Sequence, residues 1–238
     1  MGDFPPIHDK IDGLDEKEIK MLSLIKGVEV HKIIVIMRKI PLEKIIPVTQ
    51  ALYNGGIRLI EVTFDQKDVN HLTNTGDAIQ LIVDEFGDFM HVGAGTVLTT
   101  AQVEEAHKRG ASYIVSPNTN REVIQRTIEL EMGSFPGAFT PSEIVRAYEY
   151  GAHFVKLFPG GDLGPEYLKA VCAPLSHIPI VVVGGVNAEN MQDFIKAGAS
   201  GFGIGSNIVD RNLIDAGSYS ELTELALTYT KQFGQTKY

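Results

Sequence analysis

The chain has 238 residues and a mass of 26.0 kDa, and 44% of its residues are hydrophobic. This composition is typical of a folded globular protein and excludes disordered, collagen-like and low-complexity architectures. Thirty acidic residues against 21 basic ones give a formal charge of −9, which disfavours nucleic acid and anionic membranes as main partners.

Cysteine content and hydropathy limit the location and the cofactors. The single cysteine, Cys172, cannot form an internal disulfide or a multi-cysteine metal site, so a reducing cytoplasm is the predicted location. The longest apolar runs, such as 33–37 and 180–183, are strand-sized and too short to span a bilayer. The histidines are scattered singly, without the spacing of a metal site, so we expect no metal and no cofactor.

The predicted elements begin after a polar, proline-containing stretch at 1–14, which we expect to be a loose arm ahead of one domain over 15–238. An acidic start followed by apolar residues at helical spacing predicts a leading helix over 15–26. Eight short runs, most of them β-branched, then predict strands over 33–37, 57–62, 90–94, 113–115, 134–136, 153–158, 180–183 and 201–204. The amphipathic stretches between them predict helices over 42–53, 76–86, 101–108, 121–131, 141–150, 164–173 and 188–197.

Alternating strands and helices with short connections define the fold class. Several predicted helices end in glycine, as at Gly110 and Gly151, which lets the chain turn back into a strand. Eight such units predict an α/β protein, a single (βα)8 TIM barrel with an extra N-terminal helix. An open doubly wound sheet is the alternative, disfavoured because no GxGxxG follows the first strand. Barrel enzymes gather their chemistry at the C-terminal ends of the strands.

Two charged residues stand out at predicted strand ends. Lys156 lies within an apolar strand, where burial favours the neutral amine that attacks a ketone to form a Schiff base. The alternative is a lysine that reaches past the rim into solvent. Glu61 ends another apolar strand, where desolvation raises its pKa toward that of a general acid or base. Its alternative is a structural carboxylate paired with a cation such as Arg58.

Anion-binding groups are predicted at three further strand ends. Gly184 and Gly185 precede a helix expected to start near Asn187, and a second glycine-rich end carries Ser206. Exposed amides there favour a phosphate or another small anion, although the glycines are also compatible with tight turns alone. Arg38, which follows the first strand, is either a bidentate anion clamp or a solvated cation.

The chain resembles the 2-keto-3-deoxy-6-phosphogluconate (KDPG) and 4-hydroxy-2-oxoglutarate (KHG) aldolase family over about residues 33–209. The resemblance lies in seven ordered motifs: GGIRLIEVTF (55–64), GAGTVL (93–98), SPNTN (116–120), FPGAFTPSE (135–143), FVKLFPG (154–160), VVGGV (182–186) and GIGSN (203–207). It implies a class I aldolase on a (βα)8 barrel, usually a homotrimer, that needs no metal.

The resemblance also implies roles for individual residues. Lys156 matches the Schiff-base lysine and Glu61 the general acid/base. Thr96 and Pro117 match positions that line the pyruvate pocket, and Phe158 packs beside the lysine. The remaining matches are Arg38, to a substrate-anion arginine of some members, and Gly184, Gly185 and Ser206, to the phosphate cradle.

Three departures from the family pattern concern the substrate. Asp65 stands where the pattern places an arginine, and we expect it to repel the anion that an arginine would hold. Val183 replaces a threonine found in many members. The stretch 64–92 is longer than usual, with polar residues at 65–68 and 70–75, which predicts a longer loop over the site.

The predicted function is reversible cleavage of a 2-keto-4-hydroxy acid. The products are pyruvate and either glyceraldehyde 3-phosphate, from the phosphogluconate-derived substrate, or glyoxylate, from 4-hydroxy-2-oxoglutarate. One alternative is a phosphate-binding barrel enzyme that forms no Schiff base, such as a sugar-phosphate epimerase or a thiamine-phosphate-synthase-like transferase. The other is a non-catalytic barrel that binds sugar acids, for which the only support is Asp65 and Val183.

Overall fold

A computed structural model describes residues 14–233. Within this range the nine strands are β1 (Ile33–Met37), β2 (Leu59–Thr63), β3 (His91–Gly95), β4 (Tyr113–Val115), β5 (Gly133–Phe135), β6 (Gly137–Ala138), β7 (Val155–Leu157), β8 (Ile180–Val183) and β9 (Gly201–Ile204). The α-helices of the same range are α1 (Glu16–His31), α2 (Leu42–Asn54), α3 (His71–Phe86), α4 (Thr100–Lys108), α5 (Arg121–Glu129), α6 (Pro141–Glu149), α7 (Gly160–Cys172), α8 (Met191–Lys196), α9 (Arg211–Ala216) and α10 (Tyr219–Thr230). None of the helices in residues 14–233 combines the length and the apolar character needed to cross a membrane.

The strands form one parallel sheet that curls into a barrel. Their order is β5-β4-β3-β2-β1-β9-β8-β7-β6, so the two ends of the sheet are successive pieces of one chain segment. Pro136 divides that segment, and its first piece pairs with β4 while its second pairs with β7. The N–H of Lys156 donates to the carbonyl of Pro136 at 2.9 Å, which joins β7 to the gap between the pieces. The predicted (βα)8 barrel is therefore confirmed, and the open sheet was the wrong alternative.

The extra helix α1 closes the N-terminal end of the barrel. Asp15 begins it with a capping box, in which its side chain accepts from backbone amides and Glu18 bonds back to the Asp15 N–H. Leu24 and Val28 are buried in the cluster of side chains that fills the barrel interior. Gly133 on β5 leaves the space that Leu24 occupies. The position of the predicted helix is confirmed. Residues 1–13 of the predicted arm lie outside the described range, and the domain boundaries stay a prediction.

The connection after β2 differs from its prediction. The helix α3 starts at His71, five residues before the predicted start, so 71–75 are its first turn. What remains as loop is 64–70, seven residues, at the long end of ordinary strand-to-helix connections. The predicted loop therefore extended too far, because the polar residues 71–75 form the start of a helix.

Candidate active site

Lys156 lies in the middle of β7, paired in the sheet with Gly137 of β6. Its side chain is only 6% exposed, and Nζ lies 4.9 Å from the centre of the Phe158 ring. Burial is the main cause that lowers the pKa of the lysine below its ordinary 10.5; the charge of Arg38 lowers it further, whereas Glu61 opposes both. The neutral, nucleophilic amine is thus more available than in an exposed lysine.

Glu61 lies at the centre of β2 and is 2% exposed. A Cβ at Gly95 on the neighbouring strand would lie 2.6 Å from its Oε1, so the absent side chain makes room for the carboxylate. Burial raises the pKa of Glu61 above 4.5, against the positive charges of Lys156 and Arg38. No hydrogen bond or ion pair joins Glu61 to Lys156 in the described part of the chain, so the two charges act on each other without contact.

Tyr113 packs beside Glu61 in the barrel interior. It is completely buried, and its hydroxyl donates to the carbonyl of Ile60 at 2.6 Å. Gly93, its neighbour on β3, leaves the space that the ring fills. Burial raises the pKa of Tyr113 well above 10, and Glu61 adds to the effect. The phenol therefore stays neutral and fills space under the site without adding charge to it.

Arg38 and Thr96 meet above the ends of β1 and β3. Arg38 is exposed, and its guanidinium donates to Thr96 Oγ1 over 3.4 Å. Its charge acts on both Glu61 and Lys156, which places the guanidinium at the same site. Among residues 14–233 no carboxylate is ion-paired with Arg38, so the guanidinium can receive an anion.

Asp65 does not face the site as an uncompensated negative charge. Its carboxylate forms a 2.8 Å ion pair with Lys39, the residue after Arg38, and accepts from the N–H of Lys67. These two hydrogen bonds lower the pKa of Asp65, so it is ionised and neutralises Lys39. The expectation that Asp65 repels a substrate anion is therefore wrong, because Lys39 neutralises the aspartate. Arg38 keeps its own charge.

The glycine ends of β8 and β9 lie side by side, but no helix begins at either one. Gly184 and Gly185 have positive φ angles of 84° and 75°. The helix α8 starts only at Met191, so the expected start near Asn187 was wrong and the helix dipole contributes little here. Ser206 is exposed, and the next side chain, that of Asn207, donates to Val186 and ties the two loops together.

Phe158 and Pro117 border the lysine on two sides. A Cβ at Gly184 would lie 3.4 Å from the Phe158 ring, so this ring joins the lysine to the glycine loop. Pro117 is half-buried, and its carbonyl occupies the space left by Gly137, the sheet partner of Lys156. These contacts bring the predicted site residues to one end of the barrel.

Several residues of this region escaped prediction because their roles depend on contacts between strands. They are Lys39, Gln66, Gly95, Gln102, Tyr113 and Gly161. The N–H of Gly161 donates to the carbonyl of Gly184 at 2.6 Å, which joins the start of α7 to the glycine loop. The one sequence signal among them is the spacing of Thr99 and Gln102, which form the capping box that begins α4. Residues 14–233 contain no group of three or more His, Cys, Asp or Glu side chains that could hold a metal ion.

Comparison with known proteins identifies relatives of the whole barrel. The family model "KDPG and KHG aldolase" matches residues 24–225. The 2-dehydro-3-deoxy-6-phosphogalactonate aldolase of Escherichia coli K12 is 36% identical over 177 residues, which are 74% of this chain and 83% of that protein.

Solved structures give the same result. A native KDPGal structure superimposes with a TM-score of 0.76 at 33% identity, covering 84% of this chain and 93% of its own. A KDPG aldolase from Legionella pneumophila, solved with pyruvate captured as a covalent carbinolamine, has a TM-score of 0.76 at 27% identity, covering 86% and 97%. The chain belongs to the KDPG and KHG aldolase family and is an enzyme of the aldolase class.

Proposed function

We propose that the protein is a class I aldolase that cleaves a 2-keto-4-hydroxy acid through a Schiff base on Lys156. The observation that carries the proposal is a buried lysine and a buried glutamate at one end of the barrel, each with a displaced pKa. The captured carbinolamine in the Legionella relative supports it, since that adduct is the first covalent step of this chemistry.

Lys156 carries the covalent steps. Its neutral amine adds to the C2 ketone to give a carbinolamine, and loss of water leaves a protonated Schiff base. This cation withdraws the electron pair of the C3–C4 bond as that bond breaks, so the nitrogen regains neutrality in an enamine. Protonation of the enamine at C3 and addition of water then release pyruvate and return the free amine.

Glu61 moves the protons. As a carboxylate it takes the C4 hydroxyl proton, directly or through a water, while the C3–C4 bond breaks and an aldehyde leaves. The protonated Glu61 then delivers a proton to C3 of the enamine. Its raised pKa suits both duties, because the group releases and accepts a proton closer to neutral pH than an exposed glutamate does.

The remaining groups hold the substrate in this proposal. Thr96 and Arg38 orient the keto-acid carboxylate, with Pro117 and Phe158 as walls of the pocket. At the distal end the phosphate is held by the amides of Gly184 and Gly185 and by the hydroxyl of Ser206. The substrate classes are the 2-keto-3-deoxy-6-phospho sugar acids and 4-hydroxy-2-oxoglutarate. A homotrimer in the cytoplasm, without metal or cofactor, completes the proposal, and light scattering on the purified protein tests the trimer.

Trapping with pyruvate and borohydride tests the mechanism. Intact-mass spectrometry is expected to find a reduced pyruvyl adduct on the wild type and none on Lys156→Met. Glu61→Gln is expected to form the adduct but to exchange the C3 protons of pyruvate with deuterated water at least about a hundredfold more slowly, in the range of general-base catalysis. An adduct on Lys156→Met removes Lys156 from its role, and wild-type exchange by Glu61→Gln removes Glu61. No adduct on the wild type favours the alternative of a barrel without a Schiff base.

A further inference from the structure

Thr96 has a backbone conformation that its residue type disfavours. Its φ is 56°, in the left-handed region, where a β-branched side chain is an outlier. Such a conformation costs free energy and persists only where surrounding contacts enforce it. Gly95, the preceding residue, makes room for the Glu61 carboxylate, so the strained turn begins beside the site. Whatever holds Thr96 therefore also fixes the edge of the site.

Gln66, on the loop after β2, holds the Thr96 backbone directly. Its Nε2 donates to the Thr96 carbonyl at 2.8 Å. On the other side of Gln66, the Nε2 of Gln102 donates to its Oε1 at 3.0 Å. Gln102 is 1% exposed, so its amide is fixed inside the protein while Gln66 itself lies at the surface. The two glutamines form a chain of hydrogen bonds from the interior to Thr96.

Backbone amides set the direction of every bond in this chain. Oε1 of Gln102 accepts from the N–H groups of Leu98 and Thr99, at 2.7 Å and 3.2 Å. Because those groups can only donate, the Nε2 of Gln102 must point at Gln66 and at Nδ1 of His71, 3.3 Å away. Gln66 must then accept with Oε1, which leaves its Nε2 to donate to Thr96. The arrangement has one consistent orientation.

We propose that Gln66, oriented by Gln102, is a positioning residue for the keto-acid carboxylate. It holds Thr96 in the left-handed turn, and the Thr96 hydroxyl in turn accepts from Arg38, so both carboxylate-binding groups depend on one amide. This inference rests on the proposed function, in which Thr96 and Arg38 receive that carboxylate. It adds a residue that does not itself touch the substrate.

The test measures the pyruvate concentration that gives half of the maximal borohydride-trapped adduct. Gln66→Ala removes the donor to Thr96 and is expected to raise this concentration about tenfold, the effect of losing one hydrogen bond. Gln66→Glu keeps an acceptor for Gln102 but turns a carboxylate toward the Thr96 carbonyl, so we expect a larger rise. Gln50→Ala is the matched control, because Gln50 is an exposed glutamine on α2 bonded to Asn54.

A positioning role and a structural role give different results. Positioning leaves the maximal adduct of the Gln66 variants within about twofold of wild type. It also leaves their thermal midpoint within about 4 °C. An unchanged half-saturating concentration in Gln66→Ala overturns the proposal, and so does a matching loss of adduct and thermal stability. If the wild type itself forms no adduct, the proposed aldolase function fails. If the wild type forms the adduct but Gln66→Ala binds pyruvate equally well, only the positioning role of Gln66 fails.

Discussion

Replacing Gly95 by alanine is expected to separate the proton transfers of the site from its covalent chemistry. The added Cβ would lie 2.6 Å from Oε1 and 2.8 Å from Cδ of Glu61, whereas ordinary contacts begin at 3.4 Å. The carboxylate must therefore retreat by about 0.8 Å, the difference between 3.4 and 2.6 Å. It is the end of a flexible side chain, so it can move without unfolding the barrel, and the φ of Gly95 is one that alanine can adopt.

A displacement of this size is large for a general base. Misplacing a catalytic group by about 1 Å can cost a hundredfold in rate, so we expect C3 proton exchange of pyruvate to fall between about tenfold and a hundredfold. Lys156 lies across the barrel on β7, and the trapped adduct should stay within about threefold of wild type. The assay follows loss of the pyruvate methyl signal by NMR in deuterated water, with borohydride trapping on the same samples.

Gly133→Ala is the matched control at the other end of the barrel. Its Cβ would overlap Leu24 of α1, so it should cost about 1–3 kcal/mol of stability through overpacking. It should leave proton exchange per folded molecule unchanged. If Gly95→Ala exchanges protons at the wild-type rate, the carboxylate at Gly95 is not the base, and the assignment of Glu61 fails. A similar loss in both variants would indicate general destabilisation instead.

Three other predictions concern stability and charge. The pKa of Lys156 is lower in the folded protein than the 10.5 of an unfolded chain. Between these two pKa values the unfolded chain binds more protons, so the contribution of Lys156 to stability rises with pH. In urea titrations the stability advantage of Lys156→Met over the wild type should thus narrow as the pH rises toward 10.5; an advantage that stays constant up to that pH contradicts the pKa assignment. Leu24→Ala should lower the free energy of unfolding by about 2–5 kcal/mol, and a loss below about 1 kcal/mol would show that α1 does not seal the barrel. Asp65→Asn releases Lys39 and should leave stability nearly unchanged, since the pair is partly exposed. It should lower the KM of a phosphorylated keto acid at low salt, and an unchanged KM would place Lys39 outside the site.

The strands were predictable because parallel barrel strands are buried on both faces and appear as apolar, β-branched runs. The bounds of β1, β4, β8 and β9 agree with their predictions. The division of the fifth predicted strand, 134–136, was not predictable, because Pro136 has no N–H to donate and the two pieces pair with different neighbours. The hydropathy pattern of one segment does not show that its two halves pair with different strands.

The leading helix shows the same limit at a single residue. The predicted helix ends at Lys26, yet α1 continues through Gly27 to His31. A Cβ at Gly27 would lie 2.9 Å from the His91 ring, so this glycine allows close packing against β3 and does not end the helix. A glycine that permits contact and one that permits a turn are identical in sequence, and only the neighbouring element distinguishes them.

The charged residues of the site were predictable for a related reason. Lys156 and Glu61 interrupt apolar strands, and a charge in such a setting must be functional or paired. The supporting residues lack this contrast: Gly95, which makes room for Glu61, and Gln66, which bonds to Thr96, are ordinary residue types that act through partners distant in sequence. The error over Asp65 has the same origin. The sequence shows its negative charge, but the lysine that pairs with it, Lys39, lies 26 positions earlier.

Two departures from the family pattern, Val183 and Asp65, lie at different places in the barrel, and this difference affects which substrates they can influence. Val183 is buried in the barrel interior, where it fills the space left by Gly203 on β9, and it offers no hydroxyl to a ligand. Asp65 instead sits at the rim, where its ion pair with Lys39 neutralises that lysine while Arg38 keeps its charge. A rim charge changes affinity for anions at low salt, whereas a missing hydroxyl acts at any salt concentration. Salt dependence of KM in Asp65→Asn therefore tests whether rim electrostatics, and not the interior, selects among phosphorylated and unphosphorylated keto acids.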